Sequence, residues 1–209
     1  DAQGLRFHAE VSFDEVSEAG QKLQFAGALD VALGRPGNLF MRWAGDLGSK
    51  GLWVDGGNVT IADGQHRVFA TEAAGPSLDA TFTALSRVRG IELPLSELLS
   101  SNPYSAISTR VESGISLGEG GVDGVVCDHL ACRGENVDGQ LWVQRGEQPL
   151  PLKVVLTYKK RPLAPQWAAV LSKWEIPVKL SAKDFAPQVP TNFQRIEFVK
   201  AARSTEGSL

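Results

Sequence analysis

Residues 23–43, LQFAGALDVALGRPGNLFMRW, decide the fold predicted for this chain. Apolar side chains recur at every second position on both sides of a central turn, at Leu29, Val31, Leu33, Leu39, Met41 and Trp43. Alternation of this period is typical of β-strands that bury one face. The turn itself, Gly34-Arg35-Pro36-Gly37, has the composition of a tight reversal. The stretch therefore predicts a β-hairpin with one apolar face.

The alternation continues on both sides of this hairpin. Residues 7–13 alternate before it, and residues 150–158 give the cleanest alternation in the chain. Further strands are predicted at 52–54, 59–61, 68–70, 111–117, 126–132, 141–144, 167–174 and 193–199. Short strands separated by tight turns, such as Asp55-Gly56-Gly57-Asn58, predict an antiparallel meander of roughly ten strands.

Two short helices are predicted between the strands. Ser77 suits an N-cap and Gly90 a C-terminal stop, which predicts a helix over 77–89. Its apolar residues recur at helical spacing, at Leu78, Phe82, Leu85 and Val88. A second helix is predicted over 94–101, closed by Asn102-Pro103. The apolar residues on one face of that helix are Leu95, Leu98 and Leu99.

The apolar face of such a sheet is larger than these helices can cover. All tryptophans fall in predicted strands, at Trp43, Trp53, Trp142, Trp167 and Trp174. A twisted sheet of this size either curls on itself or leaves a concave apolar groove. Such a groove suits an acyl chain or another apolar ligand. The alternative is a closed core filled by the protein's own side chains.

The composition is that of an ordinary globular protein. The chain has 209 residues, of which 43% are hydrophobic and 22% charged. This predicts one domain over residues 1–200, with residues 201–209 as a flexible tail. The net charge of −3 argues against nucleic acid as a partner, because nucleic-acid binding favours a basic face. No apolar run approaches the ~20 residues that a membrane span needs.

Charge is divided unevenly along the sequence. Residues 1–149 hold 11 lysines and arginines against 20 acidic residues, whereas residues 150–203 hold 10 against 3. The C-terminal strands could therefore present a basic strip that docks an anionic headgroup or an acidic partner. The favoured interpretation is that lysines line solvent-facing positions of these strands.

Cys127, Asp128, His129 and Cys132 form the one cluster with possible metal or redox chemistry. A structural zinc site needs four ligands, and C-x-H-x-x-C supplies three. On an extended strand, Cys127 and His129 face one side and Cys132 the other. The two cysteine Cα atoms are then about 16 Å apart, against the ~4.4–6.8 Å of a disulfide. Two buried, reduced thiols are predicted, although a bulge or tight turn could bring the pair together.

Sequence patterns of catalysis are absent. No G-x-S-x-G elbow occurs, and Gly118-Glu119-Gly120-Gly121 lacks the lysine and helix of a phosphate-binding loop, so it is interpreted as a hairpin turn. Asp128 and His129 are neighbours on a predicted strand and point to opposite faces. The sequence therefore predicts no catalytic residue, no metal site and no cofactor.

Several motifs in this order resemble one bacterial family. They are Arg35-Pro36-x-x-Leu39, Val54-Asp55-Gly56, residues 90–99 (GIELPLSELL), Gly124-x-x-Cys127-Asp128-His129-Leu130-Ala131, Gln140-Leu141-Trp142-Val143 and residues 149–153 (PLPLK). Over residues 7–198 the chain resembles the domain-of-unknown-function family 2092 of predicted periplasmic proteins. That family has no established catalytic residues, and the Cys127-Asp128-His129 motif has no known role in it.

The resemblance implies a fold like that of the outer-membrane lipoprotein carriers of the LolA and LolB type. This is a mainly β (α+β) fold, a single curved antiparallel sheet forming an incomplete barrel. The helices at about 77–89 and 94–101 would plug its concave face. The resemblance also implies periplasmic localisation, a signal peptide and an N-terminal helix. Because the sequence begins at Asp1 without these two elements, we expect that a leader was removed or trimmed.

The leading hypothesis is a non-catalytic periplasmic carrier or sensor that binds a lipid, or the acyl chain of a lipoprotein, in the half-barrel. The expected cavity lining comprises Phe25, Leu29, Trp43, Val54, Leu141, Val154 and Leu156, with Leu95 and Leu98 as a lid. The alternative is a protein–protein interaction module of a cell-envelope complex, using the sheet or its basic C-terminal strands. A third hypothesis is a hydrolase or metalloenzyme that uses His129 with Asp128 or Cys127.

Overall fold

The computed structural model describes residues 3–200, which form one twelve-stranded sheet and four short helices. The first six strands are Gly4–Val16 (β1), Lys22–Gly34 (β2), Asn38–Gly45 (β3), Gly48–Asp55 (β4), Asn58–Asp63 (β5) and Val68–Ala73 (β6). The others are Ser113–Val122 (β7), Val125–Arg133 (β8), Val137–Gln144 (β9), Pro151–Tyr158 (β10), Gln166–Glu175 (β11) and Gln194–Arg195 (β12). The helices are Leu78–Arg89 (α1), Ser96–Leu99 (α2), Pro103–Ser108 (α3) and Ala182–Phe185 (α4).

The sheet consists of two meanders joined side by side. Its strand order is β12-β6-β5-β4-β3-β2-β1-β11-β10-β9-β8-β7, and every pair is antiparallel except β12 with β6. The first meander is β1 to β6 and the second is β7 to β11, and they meet where β1 pairs with β11. The sheet is not closed into a barrel, so the predicted fold class is confirmed.

One face of the sheet carries the main core, and we call it the inner face. Along β1 this face holds Phe7, Ala9 and Val11, all less than 5% exposed. Side chains of α1 and α2 pack on the same core, among them Phe82 and Leu99. Strand alternation explains this arrangement, because every second side chain points to the same side. The opposite side is called the outer face.

Helix α1 confirms the predicted helix at 77–89. The Ser77 hydroxyl accepts a hydrogen bond from the Ala80 backbone N–H at 3.2 Å, so it caps the N-terminus. Gly90 adopts a left-handed conformation with φ 68°, and the Ile91 N–H donates to the Leu85 carbonyl at 2.9 Å. This is the glycine-dependent termination that the sequence indicates.

The second predicted helix is wrong in extent. Only Ser96–Leu99 is helical, and Asn102-Pro103 begins α3 instead of ending α2. The Asn102 side chain accepts from the Ser105 N–H at 3.0 Å, and Pro103 occupies the first helical turn. Proline fits there because its missing N–H would have no partner in a first turn.

Two other predictions are corrected at the ends of strands. The hairpin turn between β7 and β8 lies at Asp123 and Gly124, with φ values of 47° and 81°, and β7 runs through the glycines at 118–121. The strand predicted at 193–199 is reduced to β12. Beyond Ile196 the chain instead contacts α1, where Arg89 donates to the Phe198 carbonyl and lies over its ring.

The short helix α4 has no counterpart among the sequence predictions. It begins with a capping box, in which Ser181 and Asp184 exchange hydrogen bonds, and it buries Phe185 to 3% exposure. The division into a domain over 1–200 and a tail over 201–209 stays a prediction, and residues 201–209 lie outside the described residues.

Candidate ligand-binding site

The strand residues predicted to line a cavity share the inner face. Leu29 lies opposite Trp43 across β2 and β3, and Val54 lies opposite Leu39 across β3 and β4. Residues that are directly opposite on neighbouring strands lie on the same side of a sheet. The same register places Phe25, Leu141, Val154 and Leu156 on this face. All seven strand residues therefore lie on the inner face, spread from β4 to β9.

Deep in the inner face, the chain's own helices cover the sheet. Leu29 and Val54 are 6% and 1% exposed and belong to one core with Leu78, Phe82 and Leu85 of α1. Leu95, directly before α2, is buried in this core, and Leu98 is half-buried against it. Leu95 and Leu98 therefore cover part of the inner face, and their role as a lid stays a prediction.

At one end of the inner face, large aromatic side chains are only half-buried. Phe13 lies 5.9 Å from Phe25 and 5.8 Å from Trp43, measured between ring centroids. We call these three residues the aromatic mouth. Trp167 lies opposite Phe13, and Leu156 opposite Trp167, so the apolar surface continues into β10. The covered apolar face therefore reaches solvent at this end.

Glycines hold the Trp43 ring against the sheet. A Cβ at Gly27 would lie 2.5 Å from the Trp43 ring, and one at Gly45 would lie 2.8 Å from it. Gly27 and Gly45 are opposite each other across β2 and β3, so the missing side chains leave the space that the ring occupies. Phe13 is the mouth residue that the predicted lining omits, although its alternation with Phe7 could have identified it.

The half of the inner face formed by β8 to β10 is less covered. Leu141 lies opposite both Leu130 and Val154, and all three side chains are half-buried. Val154 and Leu156 pack against the main core at its margin. The predicted lining residues thus range from fully covered, at Val54, to half-exposed.

The segment between α1 and α2 crosses the inner face and is held at both ends. Near the mouth, Arg161 pairs with Glu92 at 3.0 Å. At the other end, the Arg35 guanidinium donates to the Ser100 carbonyl at 2.7 Å. Leu95 between them has φ 66°, a left-handed conformation that costs a residue with a Cβ on the order of 1–2 kcal/mol. We call residues 91–100 the lid segment.

Two cavities lie beside α4, away from the predicted lining. One has a volume of about 520 Å³ and lies on the outer face. Its walls include Arg6, His8, Asp30, Phe40, Arg42 and Trp53. The other has a volume of about 560 Å³ and is bordered by residues including Arg35, Asn38 and Phe185. None of the nine predicted lining residues borders either cavity.

Charged side chains on the outer face join the first three strands. His8 contacts Asp30 at 2.7 Å and Glu10 at 3.0 Å, and Arg42 pairs with Asp30 at 2.7 Å. Hydrogen bonding to Asp30, and then to Glu10, raises the pKa of His8. Burial by itself would raise the pKa of Asp30, but hydrogen bonds from His8 and Arg42 outweigh it and lower the value.

The cluster in β8 is divided between the two faces, as alternation predicts. Cys127 is fully buried, and this burial raises the pKa of its thiol. Cys132 is only half-buried, so the expectation of two buried thiols is wrong for Cys132. Within residues 3–200 the two cysteines are not joined by a disulfide, and their reduced state stays a prediction.

The side chains between the two cysteines are engaged with neighbouring strands. His129 stacks on Trp142 at 3.9 Å between centroids and contacts the Gln140 amide oxygen at 3.0 Å. Asp128 pairs with Arg145 at 2.5 Å. Within residues 3–200, no group of three histidine, cysteine or acidic side chains is placed to hold a metal ion.

The basic C-terminal region is partly neutralised by acidic side chains of residues 1–149. Lys159 pairs with Asp138 at 2.9 Å, and Lys160 pairs with Glu135 at 3.0 Å. With the Arg161–Glu92 pair, three consecutive cations have acidic partners. This favours the interpretation that the basic residues lie on ordinary solvent-facing positions.

An open antiparallel sheet with helices on its apolar inner face defines a half-barrel protein. Residues 1–199 match the family described as predicted periplasmic protein (DUF2092), and the chain belongs to that family. The family resemblance of the motifs is thereby confirmed. No curated protein matches the chain. Among the helices of residues 3–200, none has the length and apolar character that a membrane crossing needs.

Solved structures from several bacteria are similar to this chain at low sequence identity. An uncharacterized conserved protein from Thermus thermophilus is 10% identical with a TM-score of 0.52, covering 92% of this chain and 90% of that one. The lipoprotein LppX from Mycobacterium tuberculosis is 13% identical with a TM-score of 0.48, covering 84% and 89%. A LolA superfamily protein from Nitrosomonas europaea is 9% identical with a TM-score of 0.35, covering 87% and 90%. The likeness to the Thermus protein concerns the fold alone.

Proposed function

We propose that this protein is a non-catalytic periplasmic carrier or sensor that binds a lipid, or the acyl chain of a lipoprotein, between the inner face and the lid segment. The observation that carries the proposal is the aromatic mouth. Three half-buried aromatic rings stand where the deeply buried apolar face meets solvent. The family's description as predicted periplasmic supports the proposed location.

Binding requires the lid segment to leave the sheet. Its leucines at 95, 98 and 99 pack on the inner face, and exposing three such side chains costs about 5–9 kcal/mol. Each acyl methylene that replaces them regains about 0.8 kcal/mol. An acyl chain with about ten or more buried methylenes therefore offsets the opening, whereas short chains do not.

The lid segment is suited to such opening because the ion pairs that hold it are weak. The Arg161–Glu92 pair and the Arg110–Glu97 pair both have a guanidinium side chain that is more than half exposed. Exposed pairs of this kind contribute about 0–1 kcal/mol each. The left-handed backbone of Leu95 stores strain that opening would release. Helix α1, with both ends capped, is the part that stays in place.

The first experiment is mass spectrometry of an organic extract of the protein, purified without detergent and then incubated with phospholipid vesicles. We expect one phospholipid or fatty acid per chain. An extract that contains no lipid, both before and after the folded protein is incubated with the vesicles, would contradict acyl binding.

The site is tested by substitutions on two neighbouring positions of β10. Leu156 faces the inner side and Val155 the outer side, and both are half-buried. Leu156→Asp should abolish lipid uptake, as should Trp43→Asp, whereas Val155→Asp should retain it. Circular dichroism must show that all three variants fold. Unchanged uptake in Leu156→Asp and Trp43→Asp would remove the proposed lining.

A further inference from the structure

The outer-face cavity of about 520 Å³ is bordered by none of the residues assigned to the acyl site. Its volume lies within the range of about 300–1,000 Å³ that is usual for ligand pockets. Its floor is the outer face of β1 to β4 and β11, and α4 forms a wall. Helix α4 is fixed there, because the Phe185 ring occupies the space over Gly34 that a Cβ would need. The cavity is therefore enclosed by elements that are anchored to each other.

Part of the cavity floor is aromatic. Phe40 and Trp53 lie opposite each other across β3 and β4, and their ring centroids are 5.9 Å apart. A Cβ at Gly51 would overlap the Trp53 ring, so this glycine leaves room for the ring to lie against the sheet. Aromatic rings in such a position offer a packing surface to a planar apolar group.

A β-bulge brings Lys173 to the cavity. The register of β11 against β1 shifts by one residue, so that Lys173 and Trp174 together lie opposite Phe7. Regular alternation from the buried Leu171 would place residue 173 on the inner face. In the bulge, Trp174 packs on the Phe7 ring at 4.6 Å, and Lys173 lines the outer-face cavity instead. The left-handed backbone of Lys173, with φ 51°, costs on the order of 1–2 kcal/mol. Bulges that redirect a side chain in this way are common beside functional sites.

The cavity holds more basic than acidic side chains. Four lysines and arginines line it, against three acidic residues. Arg6 pairs with Asp184, and Arg42 pairs with Asp30 at 2.7 Å. The third acidic residue, Glu175, lies opposite Arg6 across β1 and β11. The acidic side chains are thus associated with the two arginines, and the two lysines remain.

These two lysines reach the cavity from different elements. Lys173 comes from the bulge and Lys183 from α4, and within residues 3–200 neither forms an ion pair. His8 lines the same cavity. Hydrogen bonding to Asp30 and Glu10 raises the pKa of His8, against the opposing effect of the nearby Lys173 charge. Positive groups that are held this close to one another favour a bound anion.

We propose that this cavity binds a small molecule that carries a carboxylate or phosphate group on a planar apolar ring. The oxyanion lies between Lys173 and Lys183, where it accepts charge-assisted hydrogen bonds. The ring packs on Phe40 and Trp53. Because the outer and inner faces are opposite sides of the sheet, this ligand and an acyl chain occupy separate sites.

The test is isothermal titration calorimetry of the full chain with phenyl phosphate, benzoate and inorganic phosphate. At least one of the two ring-bearing anions should bind at one per chain. Phenyl phosphate should bind about three- to tenfold more tightly than inorganic phosphate, because only its ring contacts the aromatic floor.

The two lysines are tested together against a control with the same change in charge. Lys173→Asn with Lys183→Gln should weaken binding by about tenfold or more. Asparagine tolerates a left-handed backbone, so the bulge is retained. Lys22→Gln with Lys179→Gln removes two lysines outside the cavity and should bind like the wild type.

The location of the ligand has its own readout in the wild-type protein. In nuclear magnetic resonance spectra, the indole N–H of Trp53 should shift when the ring-bearing anion is added, whereas that of Trp43 at the aromatic mouth should not. Four results would each overturn the proposal: no binding of either ring-bearing anion, a shift at Trp43 without one at Trp53, equal affinities for phenyl phosphate and inorganic phosphate, or equal affinities in the two double variants.

Discussion

Replacing Leu95 by alanine should destabilise the protein and tighten its binding of lipid at the same time. Leu95 is 5% exposed and lies in the main core, where removing most of a leucine side chain costs about 2–5 kcal/mol. If the lid segment must leave the sheet before an acyl chain binds, the contacts of the Leu95 side chain with the core must be broken first. The alanine variant lacks these contacts, so opening costs it less free energy. A reduction of about 2 kcal/mol in the opening free energy raises the apparent affinity about 30-fold.

The assay measures both quantities on the same variant. Urea unfolding followed by circular dichroism gives the free energy of unfolding, and titration with palmitate followed by tryptophan fluorescence gives the dissociation constant. The matched control is Leu85→Ala in α1, where the leucine is 1% exposed in the same core. Because α1 stays in place when lipid binds, this variant should lose stability without gaining affinity.

Two results would refute the reasoning. Weaker palmitate binding in Leu95→Ala would mean that the ligand packs against Leu95 instead of displacing it. Equal changes in affinity for Leu95→Ala and Leu85→Ala would mean that the lid segment does not move as a separate unit.

Three further predictions concern the ligand, the mouth and pH. Affinity for saturated fatty acids should rise about fourfold per added methylene, as calorimetry along a chain-length series would show, and a series without this trend argues against acyl burial. Gly27→Ala should displace the Trp43 ring, reducing stability by about 1–3 kcal/mol and weakening lipid binding, and unaltered tryptophan fluorescence would contradict it. Protonated His8 stabilises the fold fully below its ordinary pKa of 6.5, and this contribution should disappear as pH rises through the raised value. The unfolding free energy measured against pH should therefore fall above about 6.5 in the wild type and less in His8→Gln.

The sequence predicted the inner face because alternation depends on local geometry alone. Leu29, Val31 and Leu33 share a face of β2 whenever that strand is extended, and burying the apolar face of each strand in one core sets the register that adds Trp43 and Val54 to it. Helix α1 could be predicted equally well, because Ser77 and Gly90 mark its ends through local hydrogen bonding and backbone conformation. In contrast, the pairing of β1 with β11 joins residues more than 150 positions apart, and no local pattern specifies it.

The errors arose where one residue type serves two purposes. Asn102-Pro103 suits both the end of one helix and the start of the next, and the structure uses it for the start. The glycines at 118–121 resemble a turn, but Gly118 with φ 87° instead accommodates the register shift between Ser116 and Gly118. The sequence also could not predict how much of the inner face the lid segment covers. That coverage depends on the tertiary packing of leucines, which suit the lining of a closed core and of an open groove equally well.

In the structure, a hydrogen bond joins one of the family motifs to the residue that follows another. Arg35 of the first motif donates to the Ser100 carbonyl, directly after the stretch GIELPLSELL at 90–99. Since Arg35 lies in the turn between β2 and β3, this hydrogen bond fixes the far end of the lid segment to the edge of the inner face. Glu92 of the same stretch pairs with Arg161 near the mouth, through side chains that are more than half exposed. The part-buried contact lies far from the mouth and the exposed one lies near it, so the lid segment should open from the mouth inward, which is the direction an acyl chain would take.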